Sequence, residues 1–193
     1  MTDELLTALV PVAQALERLN VPFYIGGSVA SSVHGAARST LDVDIVADLL
    51  PPHAAQLVAA LGDEYYADEQ SIADAIARRS SFNLIHNATS FKVDVFVATR
   101  DPFQRSSLSR RVTDTLASSG SPEFPFASME DTVLAKLDWY RKGGGVSERQ
   151  WTDVQGVLQT QRARLDLVYL RRWATELHVA DLLERALAEA GLG

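Results

Sequence analysis

Residues 24–46 read YIGGSVASSVHGAARSTLDVDIV, and this stretch decides the fold. The apolar residues 23–25 predict a short strand, which runs directly into Gly26-Gly27-Ser28. Glycine permits a positive φ and a close approach of ligand, and the unbonded N–H groups at the start of a helix suit phosphate oxygens. The turn is therefore a candidate phosphate cradle, although the same three residues also occur in ordinary turns.

Two aspartates follow the turn, Asp42 and Asp44, and they alternate with apolar residues. Residues two apart on a strand project from the same face, about 6–7 Å apart. Aspartate is disfavoured in strands and like charges repel, so a divalent cation is a natural compensation for this pair. The alternative is an exposed edge strand whose charges face water.

A third carboxylate, Asp94, lies in the apolar segment FKVDVFV of residues 91–97. Strand alternation places Asp94 on the same face as Lys92 and opposite the valines beside it. Taken singly, Asp94 fits a surface position of a hairpin formed with residues 82–86. Three aspartates in two apolar strands, after a phosphate-type turn, are nevertheless what a two-metal phosphoryl or nucleotidyl transfer site requires, because Mg²⁺ prefers hard oxygen ligands.

The composition is that of a cysteine-free chain of 193 residues with a net charge of −7 and 47% hydrophobic residues. The lack of cysteine excludes disulfides and thiolate zinc sites. The negative charge argues against non-specific coating of nucleic acid, while local arginine clusters leave open a groove for RNA or a phosphorylated acceptor. No segment approaches the roughly 20 apolar residues of a membrane span and no signal peptide is evident, so we expect a cytoplasmic protein with no membrane partner.

The pattern of elements predicts an α/β (α+β) fold. A small mixed β-sheet core with flanking helices is expected over residues 1–127, and a C-terminal helical unit over residues 128–193. Helices are predicted over 4–19, 28–33, 51–61, 70–79, 129–141, 148–160, 164–177 and 179–190, and strands over 23–25, 42–47, 82–86 and 91–97. Residues 101–127 are expected to be rich in loops.

The combination of motifs resembles the signature of the DNA polymerase β-type nucleotidyltransferase superfamily. Gly-Gly-Ser precedes Asp-x-Asp by a spacer of thirteen residues, and the third carboxylate lies in a later strand. The His-Gly-x-x-Arg-x-Thr-x-Asp-x-Asp pattern looks most like bacterial stand-alone enzymes of the abortive-infection (AbiEii-like) toxin type, as does Glu-Asp-x-x-x-x-Lys at 130–136. The chain departs from antibiotic-modifying relatives, which show Gly-Ser-x-Ala-Arg-Gly, and this weakens the inference of an aminoglycoside acceptor.

This resemblance implies roles for individual residues. Asp42, Asp44 and Asp94 would be the catalytic metal ligands, with Asp94 also a candidate base for the acceptor hydroxyl. The nucleotide would be bound by Gly26, Gly27, Ser28, Arg38, Thr40, Lys92 and Lys136. Lys92 is equally consistent with a surface lysine, and Lys136 and Asp153 with an exposed helix face. For His34 we expect packing or capping rather than chemistry.

The implied reaction moves a nucleoside monophosphate from an NTP to an acceptor and releases pyrophosphate, with Mg²⁺ or Mn²⁺ as cofactor. The acceptor is left open between tRNA, a protein and a small hydroxyl compound, and a cognate toxin or antitoxin is an implied partner. One alternative is a catalytically silent NTP-binding or partner-binding module of the same fold. Another is a metal-dependent nuclease or phosphatase, which would not require the Gly-Gly-Ser turn.

Overall fold

The computed structural model describes residues 2–36, 40, 42–116 and 122–193, and the chain divides into two compact units. The first consists of Met1–Gly26 with Thr40–Phe126, and the second of Gly27–Ser39 with Ala127–Gly193. The mixed α/β class expected from the sequence is confirmed. The helix that follows Gly26 groups with the C-terminal helices rather than with the expected core, because it packs on two of them.

The strands all belong to the first unit. In chain order they are β1 (Phe23–Ile25), β2 (Asp42–Ala47), β3 (Tyr65–Tyr66), β4 (Ser81–His86), β5 (Lys92–Val97), β6 (Val112–Thr115) and β7 (Glu123–Phe126). They form a mixed sheet in the order β3-β4-β5-β2-β1-β7-β6. β4 and β5 pair antiparallel, which confirms the predicted hairpin, and β2 and β5 pair parallel at the centre of the sheet.

The helices are divided between the two units. They are α1 (Thr2–Arg18), α2 (Gly27–Val33), α3 (His53–Leu61), α4 (Glu69–Arg78), α5 (Pro102–Arg110), α6 (Met129–Lys142), α7 (Glu148–Gln161), α8 (Leu167–Glu176) and α9 (Ala180–Glu189). No helix within the described residues is long and apolar enough to cross a membrane.

One face of the central strands is covered and the other is partly open. Helix α1 contacts both β2 and β5 and buries Leu9 and Leu16 completely. Along β2, fully buried residues alternate with half-buried ones, and β5 shows the same alternation. Burial of the apolar face provides the main driving force for folding in this unit, and leaves the opposite face available for polar side chains.

The prediction that residues 101–127 are rich in loops was wrong where the structure describes them, because they include α5, β6 and β7. The Asp101 carboxylate caps α5 by accepting the Gln104 amide at 2.9 Å, and Pro102 occupies the first turn. Strand β7 was missed because Pro125 lies within it, and proline is unusual inside a sheet. The strand nevertheless pairs with β1, with Phe126 opposite Ile25.

The second unit is a helical assembly built around α6, which contacts α2, α7, α8 and α9. Its centre is apolar, since Leu134 and Leu137 of α6 are fully buried. Helix α8 starts at Leu167 rather than at the predicted 164, because Asp166 is its cap and accepts the Tyr169 amide at 2.9 Å.

Candidate active site

The two carboxylates of β2 lie on the partly open face of the sheet. Asp42 and Asp44 are half-buried, whereas Val43 and Ile45 between and beside them are fully buried. Strand β2 lies between β5 and β1, so it is a central strand and the edge-strand explanation for its charges is wrong. Two carboxylates on a central strand need a compensating charge, because they are less accessible to solvent than they would be on an edge strand.

Asp94 joins these two carboxylates on the same face. It lies directly opposite Asp44 in the parallel register of β5 and β2, and paired residues of neighbouring strands project to the same side. Neighbouring strands are about 4.8 Å apart, so the two carboxylates lie side by side. Like charges in this position destabilise a sheet, so this pair does not add to its stability.

Lys92 and Thr40 are the immediate polar neighbours of the carboxylates. The Lys92 Nζ lies 2.7 Å from Asp94 Oδ2, and the Thr40 hydroxyl donates to Asp42 Oδ1 at 2.8 Å. The hydrogen bond to Asp94 raises the pKa of Lys92, and the charges of Asp94, Asp42 and Asp44 add to this against a partial lowering by burial. This face therefore holds one ammonium group against three carboxylates on β2 and β5.

The glycine turn begins beside β2. The Gly26 amide donates to the Asp44 carbonyl at 2.8 Å, so the backbone of the turn starts next to the strand that carries the carboxylates. Gly27 has a φ of 58°, which confirms that the chain leaves β1 through a conformation that favours glycine. Ser28 is buried in the first turn of α2.

The remaining predicted nucleotide contacts are placed differently. Arg38 lies outside the described residues. Lys136 is buried in the second unit, where its Nζ lies 2.6 Å from Asp153 Oδ2 and donates to Gln150 Oε1 at 3.2 Å. Neither Lys136 nor Asp153 is on the exposed helix face that the sequence allowed, and their contact with a nucleotide stays a prediction.

His34 has the structural role expected from the sequence. Its side chain is buried, and its Nε2 lies 2.7 Å from the Ala127 carbonyl within the second unit. The His34 carbonyl in turn accepts the Gln161 side-chain amide at 3.1 Å. These contacts fix the end of α2.

Two polar residues near the predicted ones were not found by sequence reasoning. Asn83 of β4 lies opposite Asp94 and is exposed, so it extends the polar row across a third strand. The sequence feature that could have revealed Asn83 is its alternation with the apolar residues Phe82 and Leu84. Gln150 precedes Asp153 by three residues, a helical spacing that places both on one face of α7.

The carboxylate face has the chemistry that a divalent cation prefers, since three hard oxygen donors project to the same side of adjoining strands. The positions of these side chains, however, do not form a metal site. No group of three or more histidine, aspartate or glutamate side chains among the described residues is arranged to hold a metal ion. The ion pair between Lys92 and Asp94 engages one of the three donors.

Comparisons with known proteins identify the fold. No family model and no curated protein matches the chain. Among solved structures, an antigenic nucleotidyltransferase-like protein from Paracoccidioides brasiliensis has a TM-score of 0.60 at 19% identity, over 97% of this chain and 92% of the other. The antibiotic-resistance factor ANT(2'')-Ia has a TM-score of 0.56 at 15% identity, over 98% and 96% of the two chains. The protein therefore has the nucleotidyltransferase fold.

Proposed function

We propose that this protein transfers a nucleoside monophosphate from an NTP to a hydroxyl acceptor in a reaction that depends on a divalent metal. The observation that carries the proposal is the row of Asp42, Asp44 and Asp94 on one face of two central strands, with Asp44 and Asp94 in register. The fold and the hydrogen bond from the Gly26 amide to the Asp44 carbonyl support it. Mg²⁺ or Mn²⁺, when bound, would stabilise the attacking and leaving oxygens.

In this proposal the three aspartates are the metal ligands, and the glycine turn with the Ser28 hydroxyl holds the β- and γ-phosphates. The acceptor oxygen forms a bond to the α-phosphorus, while the bond from that phosphorus to the bridging oxygen breaks and pyrophosphate leaves. In this proposal Asp94 also receives the proton of the acceptor hydroxyl. Thr40 holds the Asp42 carboxylate in place through its 2.8 Å hydrogen bond.

The proposed acceptor is one of three classes of molecule: a tRNA end, a protein hydroxyl or a small hydroxyl compound. The sequence resemblance to the abortive-infection type favours a toxin of a toxin-antitoxin pair that acts in the cytoplasm. The similarity to ANT(2'')-Ia, at 15% identity, shows a shared fold and does not select an acceptor.

The test is a labelling experiment with the purified protein. Each α-labelled NTP is incubated with Mg²⁺ or Mn²⁺ and with separate pools of RNA, protein and small metabolites. We expect label in one pool, and its loss in Asp42→Asn and Asp44→Asn. The matched control is Asp74→Asn, which removes an exposed carboxylate that accepts a hydrogen bond from Gln70 of the same helix, α4.

Other outcomes select between the alternatives. NTP binding without transfer into any pool would favour the catalytically silent module, and cleavage of phosphodiester bonds would favour a nuclease. Equal transfer by the wild type and both site variants would contradict the assignment of the carboxylates. Growth arrest on expression that the same substitutions abolish would support the toxin role.

A further inference from the structure

The carboxylate face contains its own cation. Lys92 lies opposite Asp42 in the register of β2 and β5, and it is separated from Asp94 by one residue on the same strand. Residues at this spacing are about 6–7 Å apart along the strand, so the lysine side chain has to fold along β5 to reach its partner. It does so, and its Nζ lies 2.7 Å from Asp94 Oδ2.

The position of Lys92 relieves a repulsion that the fold creates. Asp44 and Asp94 lie side by side on central strands, where like charges are unfavourable. An ammonium group bound to one of them and close to the others reduces that cost. In a metal-free protein, Lys92 thus supplies part of the positive charge that a divalent cation would bring.

The Lys92–Asp94 pair is also able to open. The Lys92 side chain is 41% exposed and that of Asp94 is 15% exposed, so it is the ammonium group that can leave the pair for water. The Lys136–Asp153 pair of the second unit is the opposite case, since its side chains are 6% and 3% exposed. Breaking that pair would separate two buried charges from each other, whereas Lys92 can move its ammonium group into water.

We propose that Lys92 is the counter-ion of the metal-free site and releases Asp94 when a divalent cation binds, so that it limits the affinity of the site for metal. This inference rests on the proposed function, because it takes Asp42, Asp44 and Asp94 as the metal ligands. Lys92 is then a positioning residue for the carboxylates. Its contact with the nucleotide phosphates, implied by the sequence, would begin only after its release.

The test is a titration with Mn²⁺ alone, followed by electron paramagnetic resonance of the unbound ion. The proteins are the wild type, Lys92→Met, Lys92→Arg and Asp44→Asn, without nucleotide and at one pH. We expect Lys92→Met to bind Mn²⁺ about tenfold more tightly. This corresponds to a binding free energy more favourable by about 1.4 kcal/mol, because no lysine then has to be displaced from Asp94. Lys92→Arg keeps the charge and should bind Mn²⁺ as the wild type does, and Asp44→Asn should bind weakly.

Thermal unfolding gives a second measurement. Without metal, Lys92→Met should unfold at a lower temperature than the wild type, and Mn²⁺ should raise its unfolding temperature more than it raises that of the wild type. The matched control is Lys142→Met, which removes an exposed lysine paired with Asp138 on α6 and should leave Mn²⁺ binding unchanged.

The outcomes distinguish the two proposals. Binding of Mn²⁺ that Asp44→Asn abolishes but Lys92→Met leaves unchanged or weakens would overturn the role of Lys92 and leave the metal site standing. Binding that is absent from the wild type and from every variant would overturn the metal-dependent function, and the role of Lys92 with it.

Discussion

The buried ion pair between α6 and α7 leads to a quantitative prediction for Lys136→Met. Lys136 Nζ lies 2.6 Å from Asp153 Oδ2, and the two side chains are 6% and 3% exposed. At an effective dielectric constant of about 20, the attraction between unit charges at this distance is about 6 kcal/mol, most of which offsets the desolvation of both groups. Removing only the lysine takes the ammonium group away from a buried carboxylate, and removing one partner of a buried ion pair costs about 3–5 kcal/mol.

The assay is urea unfolding followed by circular dichroism. We expect Lys136→Met and Asp153→Asn each to lower the free energy of unfolding by about 3–5 kcal/mol, a large part of the roughly 5–15 kcal/mol typical of a folded protein. The double variant Lys136→Met/Asp153→Asn should lose much less than the sum of the single losses, because neither charge is then left behind.

Lys142→Met provides the control. Its ion pair with Asp138 has the same 2.6 Å separation, but the side chains are 64% and 24% exposed. Its loss should cost less than about 1 kcal/mol. If Lys136→Met proves no more costly than Lys142→Met, the reasoning from burial is refuted. A Lys136→Met protein of normal stability that binds NTP weakly would instead support the nucleotide contact implied by the sequence.

Two further predictions concern pH and packing. Burial, with a contribution from the charge of Glu64, raises the pKa of Tyr65, whose hydroxyl donates to the Ala8 carbonyl at 2.6 Å. The folded protein therefore holds this proton more tightly than the unfolded chain. Its contribution to stability is complete below the ordinary pKa of about 10 and is lost as the pH rises beyond it. Tyr65→Phe should flatten the fall in unfolding temperature above about pH 10, and an unchanged slope would contradict this. The second change is Gly156→Ala in α7, which should lower stability by about 1–3 kcal/mol although alanine favours helix. The new methyl group would lie 2.7 Å from the Ala36 Cβ, and a gain of stability in urea unfolding would refute the close approach.

The sequence predicted the carboxylate face because the governing rules are local. Alternation along a strand depends only on neighbouring residues, so the common face of Asp42 and Asp44 and the place of Asp94 beside Lys92 could be read directly. The glycine turn was predicted for the same reason, since a positive φ at Gly27 is a property of the local chain.

The C-terminal helices were predicted nearly to their ends, because apolar periodicity and capping residues such as Ser128 and Asp166 are visible along the chain. Strand β7 was missed for the opposite reason. Pro125 argues against a strand locally, and only pairing with β1 and β6 compensates for it.

What the sequence alone determined is the set of candidate carboxylates and the face of the strand on which each lies. Only the tertiary structure decided that β2 and β5 are parallel neighbours at the centre of the sheet, which places Asp44 beside Asp94 and removes the edge-strand explanation. It also placed Lys136 in a buried pair with Asp153. The physical reason is that strand order and burial depend on contacts between residues far apart in the chain, which no local pattern records.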